Sequence, residues 1–144
     1  MNSAFFRMAD SLGFRPADTR EMAPLSLAFL GDTVYDLYVR SYLVHERPLT
    51  VNELHRQASL LVCAAAQAQA YHTIEGMLTE EEADIFRRGR NTHSTTVPKN
   101  ASVSDYRIAT GLETLFGWLF SRGEDERIDI LMNRILTEKK ENEE

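Results

Sequence analysis

One cysteine, Cys63, stands in a chain of 144 residues. A lone thiol closes no internal disulfide, so a secreted, disulfide-stapled scaffold is excluded and the usage fits a reducing cytosol. No apolar run reaches the ~18 residues that a membrane-spanning helix requires. The first ten residues lack a basic stretch leading into an apolar core, so no secretory signal is expected. There is no Walker-type phosphate loop, no G-x-S-x-G elbow and no HExxH pair. His45, His55, His72 and His93 are dispersed, without the Cys/His spacing that builds a zinc site. Cys63 sits beside Ala64, Ala65 and Ala66 with no electropositive neighbour, and reads as a small core residue rather than a nucleophile. Alternating strand patterns and internal repeats are also missing, and cations are in the minority, 16 Lys and Arg against 22 Asp and Glu, a net charge of −6.

That charge is segregated. Between Arg87 and Arg107 five bases (Arg87, Arg88, Arg90, Lys99, Arg107) face one acid, Asp105, a local balance of +4. The acids gather at Glu80–Glu82, Glu124–Glu126 and Glu138–Glu144. A basic patch on an acidic protein suits phosphate binding, while the acidic remainder limits indiscriminate association. The segment from Arg87 to Asn100 mixes guanidinium groups, hydroxyls and amides, the donors that contact phosphate and sugar along a nucleic-acid backbone. The same composition also suits a solvated surface turn.

With 43% hydrophobic residues the chain can bury the core of one domain, and its periodicity is helical throughout. After an irregular lead, a first helix spans about Pro24 to His45 before Pro48 breaks the chain. Thr50 with Glu53 forms a capping box opening a second helix to Tyr71 or Ile74, and Thr79 with Glu82 opens a third, ending near Gly89. A loop covers Asn91 to Val103. Ser104 or Asp105 caps a fourth helix to about Ser121, and a last one occupies Asp125 to Glu138. Residues 1–138 are expected to form one domain and 139–144 a solvated acidic tail, with no second module.

The helix from Leu25 to Arg40 places Leu27, Leu30, Val34 and Leu37 on one face, and Phe29, Tyr35 and Val39 flank its two aspartates. A helix apolar nearly all round is normally buried. Asp32 and Asp36 are therefore expected on a largely enclosed helix, where a carboxylate needs a cation, a hydrogen-bond network or a chemical role. On a second apolar helix Glu113 lies one turn from Ala109 and Gly117, small residues that admit a close neighbour. One acid on each of two helices is a common way to hold a hard cation such as Mg²⁺. The same acids could instead bind backbone or a nearby arginine. Tyr35, Tyr38 and Tyr42, at turn spacing, read as packing in a core or at a subunit contact.

The stretch Leu27-Ala28-Phe29-Leu30-Gly31-Asp32-Thr33-Val34-Tyr35 resembles the signature helix of the ribonuclease III catalytic domain, and Leu112-Glu113-Thr114-Leu115-Phe116-Gly117 resembles that family's second acidic helix. Arg87-Arg88-Gly89-Arg90-Asn91 and Pro98-Lys99-Asn100, followed by Tyr106-Arg107, are similar to the Mini-ribonuclease III branch, the short bacterial form without a double-stranded-RNA-binding domain. The resemblance implies an all-α, homodimeric endonuclease domain in which Asp32 and Glu113 are catalytic and hold Mg²⁺, with Mn²⁺ as a substitute. Two further acids of the larger enzymes are replaced here by Ala28 and Thr110, as in the short branch. Asp36 becomes a secondary acidic candidate, toward a metal's water or a neighbouring base. The implied reaction is cleavage of double-stranded RNA by a metal-activated water, leaving 5′-phosphate and 3′-hydroxyl ends. Arg87, Arg88, Arg90, Asn91, Lys99, Asn100 and Arg107 are the expected RNA contacts. The implied substrate is precursor 23S ribosomal RNA in the cytoplasm, with a ribosomal protein as a possible presenter. The loss of the two acids leaves a non-catalytic duplex-RNA-binding homodimer as the alternative.

Overall fold

The computed structural model describes residues 3–92 and 102–143, and among these every regular element is helical. They are α1 (Ala4–Leu12), α2 (Pro24–Glu46), α3 (Val51–Val62), α4 (Ala64–Ile74), α5 (Glu80–Arg90), α6 (Val103–Ser121) and α7 (Asp125–Glu143), with a 3₁₀ turn at Glu75–Met77. Thr50 and Thr79 form the expected capping boxes, each hydroxyl accepting from the backbone N–H of the glutamate three residues on, whose carboxylate accepts from the threonine N–H.

The axis of the fold is α6, whose residues Ala109 to Leu119 are buried with the exception of half-buried Glu113. The helices α2, α4 and α5 pack against it. Around Leu112, Leu115, Phe116 and Leu119 gather Leu27, Val34, Tyr35 and Val39 of α2, Ala70 and Ile74 of α4, Ile85 of α5, and Ile128, Leu131, Met132 and Ile135 of α7. Tyr35 meets Phe116 edge to face at 5.6 Å, so the first of the three tyrosines is core. The short α1 seats Phe5 against Phe120 at 5.6 Å, and Asp125 accepts from the Ala4 N–H at 3.0 Å.

Glycines set how closely the layers approach. A Cβ on Gly31 would fall 1.7 Å from the Glu113 backbone oxygen, and one on Gly117 would fall 1.9 Å from that of Leu27. The helices α2 and α6 therefore cross backbone on backbone, with Gly117 in the close-approach role expected of it. Gly89 and Gly111 do the same for α5, whose Phe86 ring lies over Gly111.

Several expectations are corrected. The face that α2 buries is Leu27, Ala28, Gly31, Val34, Tyr35, Val39 and Leu43, whereas Leu37 is 63% and Phe29 85% exposed. The contact is centred on Gly31, and at about 100° per residue Leu37 lies about 120° round from it. Large side chains mark a hydrophobic stripe, but here the smallest residue marks the crossing. For the same reason α2 is not enclosed: Asp32 is exposed and Asp36 half-buried. The expected single helix from Thr50 is two, broken at Cys63 (φ −64°, ψ 160°), because α3 packs on α2 while α4 turns onto α6. Cys63 is the exposed hinge between them rather than a core residue. Ser102, not Ser104 or Asp105, caps α6, its hydroxyl accepting from the Asp105 N–H at 3.0 Å. The N-terminal lead contains α1, and the last helix continues from Glu138 to Glu143, with Lys140 paired to Glu46 at 2.6 Å.

Candidate active site

Because Gly31 lies on the Glu113 backbone, the next residue of α2, Asp32, is delivered to the side chain of Glu113. The two carboxyl groups are close enough for one, when protonated, to donate a hydrogen bond to the other. Neither is ion-paired among the described residues. Burial, and then the facing Asp32 carboxyl, push the Glu113 pKa up to about 8, with Gln67 as a weaker opposing donor. Two carboxylates held together without a base disfavour each other's ionised form, a condition that a cation relieves.

The residues suit a hard divalent ion. Their donors are carboxylate oxygens, and no group of three or more His, Cys, Asp and Glu able to hold a metal occurs among the described residues. A two-acid site fits an ion that keeps most of its waters. Asp36, one turn from Asp32, is engaged elsewhere: Arg40 donates to its Oδ2 at 2.9 Å, while its Oδ1 is buried without a partner.

The sequence did not single out Gln67. It is 2% exposed, on the face of α4 that packs on α6. Its Nε2 donates to the Val62 oxygen at 3.2 Å, and its Oε1 is buried with no partner. The signal available was weak, because Gln67 stands between Ala66 and Ala68 but a second amide, Gln69, follows two residues on.

The expected RNA contacts fall into two groups. Arg90, Asn91 and Arg107 line one cavity of about 530 Å³ with Tyr71 and Phe86, whose rings stack at 3.8 Å. Arg90 lies 5.8 Å from the Phe86 centroid and donates to Asn91 Oδ1 at 3.2 Å. Arg87 and Arg88 are exposed on the last turn of α5, Arg87 paired with Asp84. Lys99 and Asn100 lie outside the described residues.

The described residues thus form an all-helical domain whose central helices cross on glycine and bring two acids together, with Arg90, Asn91 and Arg107 lining a cavity of their own. The Ribonuclease III domain family matches residues 25–124, and the chain belongs to that family. It is 44% identical over 124 residues to the Mini-ribonuclease 3 of Clostridium tetani, covering 85% of this chain and 82% of that protein. Against the Mini-ribonuclease 3 of a Thermoanaerobacter species the identity is 49% over 107 residues, 74% and 75% of the two chains. For that of Enterococcus faecalis it is 43% over 118 residues, 81% and 89%. A crystal structure of a Fusobacterium nucleatum protein superposes with a TM-score of 0.77 at 29% identity, covering 83% of this chain and 96% of that one. The protein is thus an endoribonuclease of double-stranded RNA. No helix among the described residues is long and apolar enough to cross a membrane.

Proposed function

We propose that the chain is a divalent-metal-dependent endoribonuclease of the cytoplasm that trims duplex stems of precursor 23S ribosomal RNA, working as a symmetric homodimer. The opposed carboxyls of Asp32 and Glu113, which have no ion-pair partner among the described residues, carry this reading. Mg²⁺, or Mn²⁺ in its place, supplies polarisation of the scissile phosphate and a more acidic water. Asp32 and Glu113 hold and orient it. No side-chain nucleophile is required, and exposed Cys63 at the α3–α4 hinge is not one. Water attack leaves a 5′-phosphate and a 3′-hydroxyl. The grip on RNA comes from Arg87, Arg88, Arg90, Asn91, Lys99, Asn100 and Arg107, which supply phosphate and 2′-hydroxyl contacts.

The dimer reading rests on the outer face of α2. Leu25, Phe29 and Leu37 are 41%, 85% and 63% exposed, and Leu37 borders a largely apolar groove of about 600 Å³ lined also by Met8 and Phe14. Exposed large apolar side chains beside an apolar groove suit an interface. A second copy on this face gives one cutting site per RNA strand.

The test is incubation of long duplex RNA with the protein in Mg²⁺ or in EDTA, beside Asp32→Asn. Mg²⁺-dependent cutting that vanishes in the variant is the expected result. RNA that binds yet stays intact in every lane, including a precursor ribosomal stem, would establish the non-catalytic alternative instead.

A further inference from the structure

The break at Cys63 leaves the Val62 carbonyl without the helical N–H that would meet it in a continuous α3–α4 helix. The side chain of Gln67 answers it from the first turn of α4, Nε2 to the Val62 oxygen at 3.2 Å. That bond fixes which way the carboxamide is turned, since a reversed amide would set Oε1 against a carbonyl oxygen. With one N–H on Val62, the same NH₂ group retains a second donor, and Glu113 is the neighbouring carboxyl whose pKa Gln67 opposes raising. Oε1 is then left buried, without a partner, in a residue 2% exposed. An unpaired buried acceptor is costly, because it has given up water without a replacement. Such a group beside an acidic pair points to a missing donor, and the waters of a hydrated cation are donors.

We infer that Gln67 is a positioning residue of the acidic centre: anchored on the Val62 carbonyl, its carboxamide orients the Glu113 carboxylate and offers Oε1 to a water of the divalent cation held by Asp32 and Glu113. This rests on the metal reading above. Groups that orient ligands from behind in this way typically govern metal affinity or activity by ~10–100-fold. The hinge at Cys63 thereby gains a purpose, because an unbroken helix would not free Val62 to hold the amide.

The test compares the wild-type chain, Gln67→Met and Asp32→Asn. Mn²⁺ binding is followed by calorimetry, and duplex-RNA binding is measured in EDTA. Gln67→Met is expected to weaken Mn²⁺ by about tenfold and to leave RNA affinity in EDTA unchanged. A Gln67→Met protein that melts earlier but binds Mn²⁺ as the wild type does would overturn the proposal, leaving Gln67 as a cap on Val62 alone. Should that variant fail to fold, the ¹⁵N side-chain amide signal of Gln67 in the wild-type chain decides. It is expected to move during a Mg²⁺ titration and to stay still in Asp32→Asn, and a signal indifferent to Mg²⁺ overturns the inference. Absence of any Asp32-dependent cation binding in the wild-type protein would remove the metal reading itself, and this proposal with it.

Discussion

Two glutamates withdrawn from solvent, Glu82 on α5 and Glu113 on α6, have opposite surroundings. Glu82 is 4% exposed, yet its carboxylate is fully answered. Arg127 donates to both oxygens at 2.8 and 2.9 Å, the Thr79 N–H adds a third bond, and Arg127 continues to the Met77 oxygen. Burial alone would raise its pKa, but the Arg127 and Thr79 hydrogen bonds outweigh that and hold the pKa below the ordinary carboxylate value. Glu113 meets another acid instead and is raised to about 8. One glutamate ties α5 to α7; the other is kept short of partners. The hydrogen bonds of Glu82 are complete, whereas Glu113 has no ion-pair partner among the described residues, the contrast on which its proposed role rests.

The sharpest way to separate them is Asp32→Asn. It should abolish RNA cleavage by about a thousandfold or more while leaving the melting temperature equal or higher, because the repulsion beside Glu113 is relieved. Cleavage kinetics alongside thermal denaturation check both halves. Next in size, Arg127→Met should destabilise the fold by about 3 kcal/mol by stranding Glu82, with cleavage per folded molecule retained, as denaturant titration and single-turnover assays would show.

Smaller, but opposite in sign for the two residues, is the response to pH. Glu113 has a folded pKa above its ordinary 4.5, so in EDTA its contribution to stability is complete below about pH 4.5 and is lost as pH rises through about 8. Glu82 has a depressed pKa, so its contribution is present above 4.5 and is lost as pH falls through the lower folded value. Melting temperatures from pH 5 to 9 should therefore fall more steeply in the wild-type chain than in Glu113→Gln, and Mg²⁺ should restore the wild type near pH 8. The smallest effect touches neither acid. Arg88→Ala with Arg90→Ala should lower duplex-RNA affinity and flatten the log–log salt slope by up to about 2, with unchanged Mn²⁺ binding. An unaltered slope would remove these arginines from the interface.

The helices were legible where local chemistry starts them. Thr50/Glu53 and Thr79/Glu82 are self-contained signals, and the structure forms both boxes. Elements decided by distant partners were not legible. Nothing in the residues around Cys63 breaks a helix; the break follows from α3 and α4 packing on different neighbours. The buried face of α2 was misjudged because Leu37 looks like a core residue and Gly31 does not, although the crossing is built on Gly31. The pairing of Asp32 with Glu113 came from motif resemblance; spacing alone left a metal site and a pair of satisfied acids equally open. Gln67 was missed because its importance lies in an unfilled hydrogen bond, which no sequence pattern records.

The contact of Gly31 and Gly117 with the opposite backbone has one more consequence. Since no side chain intervenes, the distance between the acids is gauged by main chain and not by how the core is filled. Exchanges among Leu112, Leu115 and Leu119 can lower the melting point well before they alter the spacing of Asp32 and Glu113. The spacing of the two acids is thus insulated from drift in the interior.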